Sequence, residues 1–284
     1  MTIEKIAVIG AGTMGHGIAQ VAGQAGFTVI LHDLSEDLVE RGLEHIRGNL
    51  KKGIERGKVT SQQMEDALSN IRGVTGFADA VASADLVIEA VVERLDVKQD
   101  IVRRLETSCR PGAILATNTS SLSIGAIASA VARRDRVIGM HFFNPPHIMK
   151  LIEIVVAPET SKETLETILL VARRMGKEAI TVKDSPGFAT SRLGVAVGLE
   201  AMRMLEEGVA SAEDIDKAMV LGYNHPMGPL RLTDLVGLDI RLSVAEYLCD
   251  KLGAERFRPP EILKRKVAEG KLGAKSGEGF YRWD

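Results

Sequence analysis

Two residues in the middle of the chain have types and surroundings suited to proton transfer. His141 lies in Gly139-Met140-His141-Phe142-Phe143-Asn144-Pro145-Pro146, at the end of an apolar run. Further on, Glu153 interrupts a second apolar run, Leu151-Ile152-Glu153-Ile154-Val155. A carboxylate among such neighbours is poorly hydrated and needs a partner. Histidine is a natural one, because the carboxylate orients the imidazole and stabilises its protonated form. A His/Glu pair of this kind removes a hydroxyl proton near neutral pH while hydride leaves the same carbon. Spacing alone leaves a structural histidine at a strand end open as the alternative.

Hydride needs an acceptor, and the amino-terminal segment supplies a place for one. Val8-Ile9-Gly10-Ala11-Gly12-Thr13-Met14-Gly15 follows an apolar run and opens a helical stretch, as the G-x-G-x-x-G fingerprint requires. Gly10 permits the tight turn, Gly12 lets a pyrophosphate approach the backbone, and Gly15 lets helix pack on strand. Thr13 and Met14 begin the helix whose unpaired N–H groups face the phosphate. Asp33 ends the second apolar run, where an acid accepts hydrogen bonds from the adenosine ribose. Its neighbours Leu34 and Ser35 offer no cation to a 2′-phosphate, so NAD is expected rather than NADP. A glycine turn with a capping aspartate is the bland alternative. An FAD-binding fold is another, but its second glycine-rich signals are missing.

The elements that position these residues follow from the apolar pattern. Runs at residues 5–10, 27–32, 84–90, 113–117, 136–140, 151–156 and 178–182 alternate with helix-length segments. Continuous apolar runs suit strands buried on both faces, as in a parallel sheet. Leu165, Ile168, Leu169, Ala172 and Met175 form one apolar helical stripe. The polar break at residues 117–124 follows a strand, where a site on such a sheet lies. Beyond Lys183 the pattern changes. Asp184-Ser185-Pro186-Gly187 signals a turn and helix entry, helices are expected at 188–207, 239–252 and 260–269, and Ser211-Ala212-Glu213-Asp214 resembles another helix start. The expected fold is therefore α/β: a Rossmann-type, mostly parallel sheet domain over 1–183, then an all-helical carboxy-terminal domain over 184–284.

Composition bounds the partners. The chain has 284 residues with 36 basic against 38 acidic, a formal net charge of -2, so no global field favours nucleic acid or anionic lipid. No apolar run approaches the roughly 20 residues that span a bilayer. The first strand begins almost at Met1, so no leader is expected, and at this length no second fused catalytic module is expected either. With only Cys109 and Cys249, no disulfide framework is needed, and a cytoplasmic location is expected. Both cysteines suit packing. The histidines show no metal-ligand spacing, and no metal is called for.

Several separated motifs occur together in one order: the glycine fingerprint, Thr117-Asn118-Thr119-Ser120-Ser121-Leu122, the His141 segment, Asp184-Ser185-Pro186-Gly187-Phe188, Asn224-His225-Pro226-Met227-Gly228-Pro229-Leu230 and Lys275-Ser276-Gly277-Glu278-Gly279-Phe280-Tyr281. With these, the chain resembles the L-3-hydroxyacyl-CoA dehydrogenase family from Ile6 to Tyr281, most of all its bacterial 3-hydroxybutyryl-CoA members. The resemblance implies NAD-dependent, reversible oxidation of a short (S)-3-hydroxyacyl-CoA to the 3-ketoacyl-CoA. It implies that His141 is the base, Glu153 its partner, and that Ser120 and Asn144 contact the reacting oxygen or hold the geometry; from the residues alone these two read as a strand-end cap and a turn residue. Glu93 and Lys98 match the family's region near nicotinamide and its ribose, with a surface ion pair as the competing reading. Lys51 and Lys52, in a basic cluster with Arg47, Arg56 and Lys58, match the helical excursion that contacts CoA; a solvated helix face competes. Ser191 stands where the family commonly has asparagine before arginine, which puts that substrate contact in doubt. The resemblance also implies a homodimer through the helical domain. Relatives acting on 3-hydroxyadipyl-CoA or a free sugar acid such as gulonate, and non-catalytic NAD-binding relatives, remain as alternatives.

Overall fold

The computed structural model describes residues 2–283 of the chain, which divide into two compact units between Ser185 and Pro186. In the first unit the order is β1 (Lys5–Ile9), α1 (Thr13–Gln24), β2 (Thr28–His32), α2 (Glu36–Glu55), α3 (Ser61–Ser69), β3 (Ile71–Val74), α4 (Phe77–Val81), β4 (Leu86–Glu89), α5 (Leu95–Ser108), β5 (Ile114–Thr117), α6 (Ile124–Ala128), β6 (Val137–Phe142), β7 (Leu151–Val156), α7 (Lys162–Arg174) and β8 (Glu178–Lys183). The strands form one sheet ordered β3-β2-β1-β4-β5-β6-β7-β8. From β1 the chain winds outward through β2 and β3, then returns to β4 on the other side of β1. That reversal makes β1/β4 a topological switch point, and ligands bind outside the strand carboxyl ends there.

All neighbours run parallel except β6 and β7. The exception has a simple cause. Parallel neighbours need a long crossover, whereas the short 143–150 connection can only return the chain antiparallel. The central strands β1, β4, β5 and β6 are buried almost throughout, as their continuous apolar sequences require.

Two strands depart from the sequence pattern. β3 was hidden in IRGV, which is short, half-exposed and carries Arg72 and Gly73. Gly73 is needed because Val39 of α2 fills the space: a Cβ there would lie 2.3 Å from a Val39 methyl. β8 was expected as a strand buried on both faces, but it is the sheet edge, with Glu178, Ile180 and Thr181 exposed.

The second unit consists of α8 (Thr190–Glu206), α9 (Ala212–Tyr223), α10 (Pro229–Val236), α11 (Leu238–Leu252) and α12 (Glu261–Ala268), plus short 3₁₀ turns and isolated bridges. Val195, Leu199, Met202, Ile215, Leu230, Leu238, Leu248 and Phe257 are among its buried core. α8 starts at Thr190 rather than Phe188, because Gly187 (φ 74) and Phe188 (φ 49) both take left-handed conformations that end the entering turn. Buried acids fix the loops: Asp216 accepts the Leu230 and Arg231 N–H groups at the start of α10, and Asp234 accepts from Phe280 N, Tyr281 N and Trp283 Nε1. The terminal Gly-Phe-Tyr motif is thus an anchored tail; a Cβ on Gly279 would lie 2.2 Å from the Asp234 carboxylate.

Candidate active site

The dinucleotide turn joins β1 to α1. Gly10 has φ 98 and lies against β4, where a Cβ would come 2.8 Å from the Ala90 carbonyl oxygen. Gly15 sits over Gly10 itself, leaving only 1.7 Å between a Cβ and the Gly10 oxygen. Gly12 differs: nothing lies within 4 Å of where its Cβ would be. It is also the N-cap of α1, and no side chain caps the helix. The turn therefore packs tightly on two sides and opens at the helix start, a fit for a pyrophosphate held by the first N–H groups, including those of Thr13 and Met14. Asp33 follows β2, and its carboxylate accepts from Ala11 N and Leu34 N, both at 2.7 Å. A carboxylate has about four acceptor positions, so Asp33 holds the glycine turn and retains capacity for ribose hydroxyls.

At the carboxyl ends of β4 and β5 lies a charged network that sequence reasoning saw only in part. Lys98, on α5, is wholly buried and donates to both oxygens of Glu89 at 3.0 and 2.9 Å. Its ammonium is also 3.5 Å from Glu93, so this is no surface ion pair. The Thr117 hydroxyl donates to Glu89 as well. Glu93 accepts from the Thr119 hydroxyl at 2.6 Å and from the Ser120 N–H and hydroxyl at 2.9 and 3.2 Å. Burial raises the Glu93 carboxyl pKa, but Lys98 and these hydrogen bonds outweigh it, and the net displacement is downward. Glu89 was missed, although it carries the same signal as Glu153: a lone acid in an apolar strand.

His141 and Glu153 face one another as register partners of the antiparallel β6–β7 pair. His141 Nδ1 is 2.7 Å from Glu153 Oε2, and both residues are buried. An ionised carboxylate only accepts, so in the neutral imidazole the pairing places the proton on Nδ1 and the lone pair on Nε2. The Phe143 ring packs at 4.6 Å from the imidazole. Asn118, also overlooked, accepts the Phe142 N–H at 2.9 Å and ties the end of β5 to the end of β6. Asn144 follows in an exposed turn, joined to Pro145 by a cis peptide bond.

The structure thus brings together His141 with Glu153, and Ser120 with Glu93 and Lys98. Lys51 and Lys52 stand apart on the exposed side of α2, while the nearby Arg47 pairs with Glu40 at 2.6 Å. Ser191 lies half-buried in the first turn of α8, in the second unit. Burial pushes the Cys109 thiol up to about 11, which removes it as a nucleophile at neutral pH.

A twisted, mostly parallel sheet with an open glycine turn handles dinucleotides at its carboxyl edge, and a histidine backed by a buried carboxylate at that edge adds proton abstraction. The class is the NAD-linked dehydrogenases. More narrowly, the chain belongs to the 3-hydroxyacyl-CoA dehydrogenase family: the family's NAD binding domain matches residues 5–185 and its C-terminal domain residues 187–283. It is 43% identical over 284 residues to a probable 3-hydroxybutyryl-CoA dehydrogenase of Bacillus subtilis, covering 100% of this chain and 99% of that one. It is also 43% identical to the mitochondrial hydroxyacyl-coenzyme A dehydrogenase of Homo sapiens, over 99% of this chain and 91% of the relative. Among solved structures, the (S)-3-hydroxybutyryl-CoA dehydrogenase of Ralstonia eutropha superposes with a TM-score of 0.96 at 40% identity, covering 100% of both chains.

Proposed function

We propose that this chain oxidises short (S)-3-hydroxyacyl-CoA thioesters, 3-hydroxybutyryl-CoA foremost, to the 3-ketoacyl-CoA, and runs the reaction in reverse. The observation that carries the reading is the buried His141–Glu153 pair at 2.7 Å, at the same sheet edge as the open glycine turn. The relatives named for 3-hydroxybutyryl-CoA support the substrate. Oxidation requires an acceptor for the hydride leaving C3, which NAD supplies when bound. Gly10, Gly12, Thr13, Met14 and Gly15 would hold its pyrophosphate, Asp33 its adenosine ribose, and Glu93 and Lys98 the nicotinamide end.

His141 takes the 3-hydroxyl proton at Nε2. Glu153 holds the Nδ1 proton and stabilises the imidazolium formed, so the C3–O bond becomes a carbonyl as the C3–H bond breaks. In the ketone-reducing direction the imidazolium returns that proton. Ser120 and Asn144 steady the substrate oxygen as its charge changes. Lys51 and Lys52 attract CoA phosphates, with α2 supporting them, and Ser191 offers a hydroxyl where relatives offer an amide. We also propose a cytoplasmic setting, supported by the unpaired Cys109 and Cys249; cell fractionation tests it. Among the described residues no helix is long and apolar enough to cross a membrane.

The test is NADH consumption with acetoacetyl-CoA, against free acetoacetate and against NADPH. Rapid turnover that needs both the thioester and NADH is expected. Turnover of the free acid would withdraw Lys51 and Lys52, and no turnover of the thioester would overturn the reading.

A further inference from the structure

A buried ion pair in the first unit remains outside the chemistry above. Glu89 ends β4 and is the register partner of Ile9 and of Thr117. It therefore lies at the switch point, with the glycine turn leaving β1 on one side and the Ser120 loop leaving β5 on the other. Its side chain and that of Lys98 are both 0% exposed.

Each oxygen of Glu89 accepts twice. Oε1 takes Lys98 Nζ at 3.0 Å and the Thr117 hydroxyl. Oε2 takes Lys98 Nζ at 2.9 Å and the Val91 N–H at 3.2 Å. Those bonds fill the about four acceptor positions of a carboxylate. Lys98 is committed likewise: beyond its two bonds to Glu89 it faces Glu93 Oε2 at 3.5 Å, which accounts for every N–H of an ammonium. Neither group keeps a donor or acceptor for a ligand. Glu93 differs. Its side chain is 37% exposed, and its Oε1 receives the Thr119 hydroxyl and the N–H groups of Ser120 and Ser121.

A buried ion pair adds little stability over apolar side chains of the same volume, so packing does not account for this one. Its consequence is the charge set beneath Glu93. Burial works against the ionised form of Glu93, and Lys98 with the loop hydrogen bonds overcomes it. The charges facing Glu93 are Lys98 from α5 and, behind it, Glu89 from β4. The loop after β5 presents hydroxyl and N–H groups, and Arg94 and Asp96 pair with each other in solvent. One ammonium thus stands between two carboxylates, and Glu89 grips it with both oxygens.

We propose that Glu89 is a positioning residue for the reaction: through Lys98 it fixes the Glu93 carboxylate under the Ser120 loop, and Lys98 serves the nicotinamide end through Glu93, with no contact of its own. This rests on the reading that places Glu93 at that end, and deepens it. Without the Glu89 charge the ammonium leans to Glu93 and draws it off the loop. Without the ammonium, Glu93 loses the cation that offsets its burial.

The experiment follows Glu93 by carbon NMR of glutamate labelled at the side-chain carboxyl, its signal assigned as the one lost in Glu93→Gln, and follows NADH affinity by fluorescence titration over the same pH range. The variants are Glu89→Gln and the double variant Glu89→Gln/Lys98→Met, which keeps the net charge. Glu89→Gln should move the Glu93 titration to lower pH and the double variant should move it to higher pH, a pair of opposite displacements that a packing role would not produce. NADH affinity should fall about threefold in Glu89→Gln, and about tenfold or more in the double variant at about pH 5, the value of one charged hydrogen bond. Titrations that coincide in all three proteins, or move the same way in both variants, overturn the proposal. So does an NADH affinity that falls in Glu93→Gln but in neither variant. If the double variant fails to fold, the downward displacement in Glu89→Gln decides alone. An NADH affinity unchanged in Glu93→Gln would instead sink the placement of Glu93 at the nicotinamide end, so the two failures are distinguishable.

Discussion

A histidine becomes a useful base when something fixes its tautomer and accepts the cost of its charge. Glu153 does both from inside β7, where its side chain is buried away from bulk solvent. His141→Ala is expected to lower turnover by about 10²–10⁴ while NADH affinity, measured by fluorescence titration, stays close to wild type; full activity in that variant would remove His141 from the role. This pair was legible because an acid in LIEIV has no reason to be there without a partner. Glu89 offered the same clue in DLVIEA, but its partner Lys98 reads from the residues as half of a surface ion pair with Glu93 until the fold shows it buried against Glu89.

Elements place these groups through contacts that tolerate little. The β1–α1 turn works because Gly15 sits directly over Gly10, and the same geometry divides two substitutions that look alike in sequence. Gly15→Ala drives a methyl into backbone and should lower stability by about 1–3 kcal/mol, seen as an earlier urea midpoint. Gly12→Ala meets nothing within 4 Å; it should leave the midpoint within about 0.5 kcal/mol yet weaken NADH binding, because the methyl stands where the dinucleotide approaches. Equal midpoints for the two variants would refute this account of the turn. Central strands were readable from their apolar runs, whereas β3 was not, because its place depends on Val39 fitting over Gly73. The late start of α8 was equally hidden, since left-handed φ at Phe188 is imposed by the fold and not by its residue type.

At the scale of the whole molecule, the second unit leaves a broad apolar surface. Leu193, Val197, Leu221, Tyr223, Leu232, Leu235 and Ile240 are exposed, and a groove of about 470 Å³ runs beside α8 and α9 with Val197, Met204, Met219 and Tyr223 in its walls. Apolar surface of that extent is usually covered by a partner, and a second copy is the proposal made here. Light scattering should find twice the 30.6 kDa chain mass; a stable 30.6 kDa species at working concentration would refute the dimer. The pairing of β6 with β7 also bears on how such a chain can be recombined. The base and its carboxylate lie on adjacent strands of a single hairpin, so segment 137–156 carries both whenever it is exchanged between relatives. Glu93 and Ser120 come from separate crossovers, and a splice falling between β4 and β5 would pair acid and loop from different parents. Shuffled descendants of this chain would therefore inherit the proton-transfer pair intact far more readily than the network beside it.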